Sequence, residues 1–429
     1  MDALLETLTF PTSALLAVGF LLTAYALYRF AGNSWLVRGL SSRLAARVLL
    51  AVGAVLLAVE GTWSLPLHRS PFFLLFALVM LLSLAFVLLQ GKRRVGFMLN
   101  HLGLFLIVWA ALFGAPDVSR TRMMVGKGDV VNYAYATDGM VVQMPFSVAL
   151  EDFQIDYYPD SVSPRQFTSH IYLGGEHRSV AVNEPVSHQG YTFFQESYDR
   201  EGGTYTVLLV VRDPWLPVIY LGMLLLAAGS IMLLFGRWRT RLVVPVTLLL
   251  TVLFTALTVA KINFGTLMPA LRSWWFVPHL FIYMVAYSLM ALSLVMWLVA
   301  KARKSSPEGS IGQDLSAQGL PDRSPSTSWQ TLSDNLLRSS SALLILGMLT
   351  GSVWARQAWG DYWAWDPKEN WAAVTWFLSL MHLHLQHKRG WTPFLILLLA
   401  FLALQITWYG VNYLPSAMDS MHTYTSSPK

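Results

Sequence analysis

Apolar residues along this chain gather into long runs separated by short polar stretches. Ten runs stand out as candidate spans, at about 11–28, 44–62, 72–90, 95–114, 215–235, 241–260, 276–299, 339–357, 371–386 and 391–411. A helix of about 18 apolar residues or more crosses roughly 30 Å of hydrocarbon. The pattern therefore predicts a mainly α, polytopic membrane protein of about ten transmembrane helices. One interval breaks it. Between 115 and 213, Tyr133-Ala134-Tyr135, Phe146–Phe153, Ile171–Leu173 and Thr204–Val211 are rich in aromatic and β-branched residues and are broken by Gly, Pro, Asp and Asn. Such stretches read as strands of a small β-rich domain. The stretch from Ser305 to Ser328, rich in Ser, Pro and Gly, reads as a flexible linker. The expected organisation is a four-helix membrane region (1–114), the β-rich domain (115–213), further membrane helices (214–300), a linker (301–338) and a final membrane region with an outer tail (339–429).

Charge orients these pieces. Arg29, Arg38, Arg43 and Arg47 flank the first loop, Lys92-Arg93-Arg94 the third, and Arg237, Arg239 and Arg241 the loop after the fifth span. Lys301, Arg303 and Lys304 follow the seventh span and His387-Lys388-Arg389 the ninth. These are alternate loops, so one face of the membrane collects them, and the positive-inside rule makes it cytoplasmic. Residues 115–213 and both termini then lie outside, as expected of a multi-pass protein of the bacterial inner membrane whose working face is periplasmic. Asp2 and Glu6, with no early Lys or Arg, make the first run a retained span rather than a cleaved signal peptide. Only 13% of residues are charged, against roughly 25% in soluble domains. The net charge of +6 belongs to the loops, which argues against a nucleic-acid partner and for the lipid bilayer. With no cysteine, disulfides, thiolate metal ligands and intrinsic thiol redox chemistry are excluded.

The string WGDYWAWDPKENWAAVTWF, preceded by Trp354, holds Trp359, Gly360, Tyr362, Trp363, Trp365, Asp366 and Trp371 at the expected outer surface. An interfacial aromatic belt accounts for two or three such residues; a platform for a planar apolar ligand such as a porphyrin accounts for this density. Asp366-Pro367-Lys368-Glu369 reads as a capping box that starts a helix, not as catalytic residues.

Neutral imidazole is a common axial ligand of haem iron. His279, near the outer end of the seventh span, and His422, in the outer tail, share a side with the tryptophans and form a candidate bis-His site. His101, roughly 10 Å deep at 1.5 Å per residue, and His384 share the inner half of the bilayer and form a candidate second site. His382 competes with His384. His68, beside Arg69, reads as solvated, and His170, His177 and His188 read as surface residues without metal-ligand spacing.

These residues resemble a known family. WGDYWAWDPKENWAAVTWF is similar to the WWD signature of haem-handling proteins of cytochrome c biogenesis. With WWFVPH ending at His279 and YGVNYLPSAMDSMHTY containing His422, it resembles the CcsA (ResC) half of System II. RVGFMLNHLGLFLIVWAALFGAPD, containing His101, and VNEPVSHQGYTFFQESY resemble the CcsB (ResB) half, so the chain looks like a CcsBA-type fusion, with the ResB-like part at 1–114 and the ResC-like part at 339–429. The resemblance implies that His279 and His422 ligate an external haem b and His101 and His384 a transmembrane one. It implies Trp359, Trp363, Trp365 and Asp366 as the core of the cradle. It also implies export of haem and thioether attachment to CXXCH motifs of apocytochrome c, a cytochrome c synthetase (haem lyase) activity, with a separate membrane thiol reductant keeping the acceptor cysteines reduced. The outer domain, about 100 residues, is smaller than in many relatives. Alternative readings are a System I haem-handling protein served by a haem chaperone, a b-type cytochrome subunit and a plain haem transporter.

Overall fold

The computed structural model describes residues 8–91, 94–159, 162–200, 202–235, 267–304, 325–385 and 390–420, with scattered positions between 245 and 260. Nine long helices occur among the described residues: α1 (Thr12–Ala31), α2 (Arg43–Trp63), α3 (Pro71–Leu89), α4 (Val95–Gly114), α5 (Leu216–Phe235), α6 (Phe276–Lys304), α7 (Pro325–Trp359), α8 (Pro367–Leu383) and α9 (Thr392–Trp408). Seven of them, α1 to α7, are long and apolar enough to cross a membrane. α8 and α9 have 17 residues each, about 26 Å at 1.5 Å per residue, just under the hydrocarbon thickness. The expected span 241–260 lies mostly outside the described residues.

Starts are set by local chemistry. Ser42 Oγ accepts the Ala45 N–H to cap α2, and Ser70 Oγ accepts the Phe73 N–H to cap α3, whose first residue is Pro71. α4 and α5 approach closely because glycines face each other: a Cβ on Gly103 would lie 2.6 Å from the Gly222 carbonyl oxygen.

Helix occupies both ends of the expected linker, 301–338, whose middle lies outside the described residues. α6 runs on to Lys304 and α7 begins at Pro325. Ser333, Ser339, Ser340 and Ser341 are buried, so their polarity does not mark a loop. Ser293 Oγ donates to the Ser333 carbonyl at 2.8 Å and Ser340 Oγ to the Ala286 carbonyl at 2.7 Å, which lets α6 and α7 pack through small hydroxyl side chains.

The β-rich domain is an eight-stranded antiparallel sheet: β1 (Ser119–Gly126), β2 (Val130–Ala136), β3 (Val141–Tyr157), β4 (Pro164–Leu173), β5 (Glu176–Ala181), β6 (Val186–His188), β7 (Tyr191–Tyr198) and β8 (Tyr205–Arg212), in spatial order 5-4-3-2-1-8-7-6. Alternation fixes its inner face: along β3, Met144, Phe146, Val148 and Leu150 are buried and pack on Met123, Ile171, Phe193 and Leu208. The first and last residues of the domain are neighbours, since Ser119 pairs with Arg212.

Candidate functional site

The tryptophan string leaves α7 at Trp359 and enters α8 at Pro367. Gly360 makes the turn possible. Its φ is +82°, and a Cβ there would meet Leu209 at 3.0 Å and Phe194 at 3.3 Å, so the loop lies directly against β7 and β8. Asp361 pairs with Arg120 of β1, and the buried Arg356 donates to the Gly360 carbonyl while its guanidinium sits 5.3 Å over the Phe194 ring. The capping box is present: Asp366 Oδ1 accepts the Lys368 N–H at 2.8 Å, and Glu369 Oε2 accepts the N–H groups of Asp366 and Ala364.

The end of the loop sits beside the start of α6. His279 Nδ1 donates to the Gly347 carbonyl of α7 at 2.8 Å. A carbonyl only accepts, so the ring proton is on Nδ1 and the lone pair on Nε2, the arrangement that orients metal-ligating histidines. Gly351 admits the ring: a Cβ there would lie 2.6 Å from His279 Cε1. Trp354 stands edge-on to the imidazole, with centroids 5.8 Å apart, and its Nε1 donates to the Ala270 carbonyl. His279, Trp354, Gly351, Trp363 and Glu369 enclose a cavity of about 50 Å³.

The remaining aromatic candidates extend from this centre. Trp359 lies 5.6 Å from Trp354, and Trp365 meets Trp363 at 87°. Trp371 packs toward α2, and its buried Nε1 has no acceptor among the described residues. Tyr362 points away, onto Ala110, Ile219 and Met223 of α4 and α5, where burial pushes its hydroxyl up to about 12. Nearby Asp213, between β8 and α5, is held above the usual carboxylate range by burial, offset by the Trp215 N–H and the Arg356 charge.

The other histidines divide. His422 lies outside the described residues. His101 Nδ1 donates to the Phe97 carbonyl at 2.8 Å and His384 Nδ1 to the Leu380 carbonyl at 2.7 Å, so both also carry the lone pair on Nε2. They stand on different helix pairs, since α4 packs mainly on α5 while α8 packs on α2 and α9. His382 differs: it is 1% exposed, with Nδ1 on the Pro393 carbonyl and Nε2 3.4 Å from Asp334 Oδ1. Both its nitrogens are engaged.

His68 is not solvated as expected. Its ring lies flat on Trp365, with centroids 4.5 Å apart and planes 6° apart, and its Nδ1 pairs with Glu60. The signal for it was Glu60, the one acidic residue in an otherwise apolar run. His188 also departs from a surface role, packing edge-on against Phe146 of the sheet core. Among the described residues, no group of three or more His, Asp or Glu side chains is placed to hold a metal ion by itself.

The donor set suits haem: an oriented imidazole beside indole surfaces. The cavity as it stands has room for no more than a few waters, far less than a porphyrin occupies.

Two family profiles match the chain: the ResB-like family over residues 91–207 and the cytochrome C assembly protein family over residues 215–418. Residues 1–90, and with them α1 to α3, lie outside both. The chain is similar to the cytochrome c biogenesis protein CcsA of Guillardia theta, 34% identical over 169 residues, which is 36% of this chain and 56% of that protein. It is similar to CcsA of Prochlorococcus marinus (strain MIT 9215), 34% identical over 193 residues (40% of this chain, 62% of that protein). For CcsA of Porphyra purpurea the figures are 29% over 224 residues (43% and 70%). The chain thus spans less than two thirds of the length of the first two relatives. A ResB-like region and a cytochrome c assembly region in one chain bear out the resemblance to a CcsBA-type System II fusion.

Proposed function

We propose that this chain serves cytochrome c biogenesis by carrying haem b outward across a bacterial inner membrane and presenting it for covalent attachment to apocytochrome c. The observation that carries the proposal is the His279 imidazole, its Nδ1 committed to the Gly347 carbonyl and its ring lining one cavity with Trp354 and Trp363. His279 and His422 are the proposed ligands at the outer, periplasmic face. His101 and His384 are the proposed ligands in the inner half of the bilayer, and His384 is preferred to His382 because both nitrogens of His382 are already bonded.

The aromatic loop would fix the plane of the ring so that its two vinyl groups meet the thiols of a CXXCH segment. Each thiol then adds across a vinyl double bond: sulfur bonds to one carbon and the proton goes to the other, with no net oxidation. Nothing in such an addition needs a protein nucleophile, so the work of the chain is positioning, an effective-molarity effect. This chain has no cysteine. A membrane thiol reductant of the thioredoxin type is the expected partner that keeps the acceptor thiols reduced.

The test is expression in a host lacking its own maturation system, with a CXXCH reporter. The purified chain is expected to show a haem Soret band and to mature the reporter. His279→Ala is expected to abolish maturation, with added imidazole restoring part of it. Absence of both haem and reporter product in the native chain refutes the proposal; haem without a covalent product leaves only transport.

A further inference from the structure

The apolar helix α2 carries one acidic side chain, Glu60, and it is buried, 4% exposed, in the last turn. A carboxylate taken out of water needs partners, and one residue supplies them. Glu60 Oε2 accepts the His68 backbone N–H at 3.1 Å, and Oε1 pairs with Nδ1 of the same histidine. Arg69 Nε donates to His68 Nε2 at 3.3 Å, which puts the ring proton on Nδ1, facing Glu60. The imidazole is thereby fixed in plane as well as in place.

What it fixes is Trp365. The ring of His68 covers one face of that indole, and Phe73 of α3 meets the same indole edge-on at 5.2 Å. Trp365 has φ +59°, a left-handed backbone that a bulky residue keeps only where its surroundings over-determine it. The neighbouring residue of α2 is equally tightly packed: a Cβ on Gly61 would lie 3.0 Å from Asn370 and 3.1 Å from Trp371, and Ser416 Oγ donates to the Gly61 carbonyl. Helices outside both matched family regions thus form the back wall of the aromatic loop.

We propose that Glu60 and His68 are a positioning pair for the haem cradle. Through the flat stack they set the plane of Trp365, and through its contact with Trp363 they set the wall of the His279 cavity. The inference rests on the haem reading above. It extends the site to residues that never touch the reacting atoms.

The test compares the full chain in detergent with His68→Leu, His68→Phe and Glu60→Gln. Two quantities are read: transfer of bound haem to excess apomyoglobin, and amide hydrogen exchange of residues 359–366 without haem. An aromatic stack accounts for roughly a three- to tenfold effect, so His68→Leu is expected to speed haem loss by about that factor and to quicken exchange of the loop. His68→Phe, which keeps a flat ring, is expected to stay within about twofold of native, with Glu60→Gln between the two. Native rates in His68→Leu, or equal impairment in His68→Phe and His68→Leu, overturn the proposal. If His68→Leu cannot be purified, native haem loss and native exchange in Glu60→Gln overturn it. A native chain without haem defeats the underlying reading, and the exchange measurement then still decides whether the pair holds the loop.

Discussion

Replacing Gly351 by alanine puts a methyl group 2.6 Å from Cε1 and 2.7 Å from Nδ1 of His279. Carbon contacts are comfortable from about 3.5 Å, so the imidazole must retreat by roughly 1 Å. Such a move lengthens its 2.8 Å hydrogen bond to the Gly347 carbonyl beyond useful range. Three terms set the stability change. The lost bond costs about 0.5–1.5 kcal/mol, the overpacking about 1–3 kcal/mol, and the better helix former returns about 1 kcal/mol. The net is a modest destabilisation of about 0.5–3.5 kcal/mol. With His279 as the proposed ligand, the effect on haem affinity is larger, because removing the partner that orients a ligating histidine costs about 10- to 100-fold in affinity. The assay is a haem titration followed at the Soret band, with a thermal melt of the same preparation. Gly351→Ala is expected to remain folded and to bind haem at least about tenfold more weakly. Unchanged affinity refutes the role given to the Gly347–His279 bond, as does affinity that falls only in step with the folded fraction.

Three further outcomes follow from the geometry. With His384 as the proposed ligand, His384→Ala is expected to remove one haem component from the difference spectrum with little change in melting, whereas His382→Ala is expected to keep the spectrum and lose about 1–3 kcal/mol, since it removes a buried imidazole bonded to the Pro393 carbonyl and to Asp334. Asp366→Ala is expected to lower stability by about 1 kcal/mol through loss of the helix cap, while Asp366→Asn keeps it; parallel melts distinguish the two. Asp213 binds its proton more tightly folded than unfolded, so its stabilising contribution is present below the ordinary carboxylate value and is lost as pH rises through the raised folded value. Asp213→Asn is expected to flatten that part of the stability–pH curve, read from melts across the acid range.

Much of the architecture was legible because each run carried its own signal. Spans such as 95–114 are apolar but for Asn100 and His101, and the strands of the sheet alternate along Met144, Phe146, Val148 and Leu150. The cap at Asp366 was also legible, since it involves only residues three apart. The grouping of His279 with Trp354 and Trp363 followed from side assignment by loop charge. Contacts between distant segments were not legible. Nothing local ties His68 to Trp365, and beside Arg69 it looks like any turn residue. Ser333 read as linker because a buried serine and a solvated one are the same letter until the facing helix is known. Gly351 carries no sign of its purpose in a helix of small and apolar residues.

The pairing of β1 with β8 has a consequence for how this domain is carried. Both of its ends are clamped side by side where the chain rises from α4 and returns to α5. The far edge is tied down as well: Tyr158 Oη donates to the Leu267 carbonyl and Asn183 Nδ2 to the Pro269 carbonyl, just ahead of α6. Bound at its two ends and again along this edge, the sheet has three fixed points and keeps one attitude over the helices.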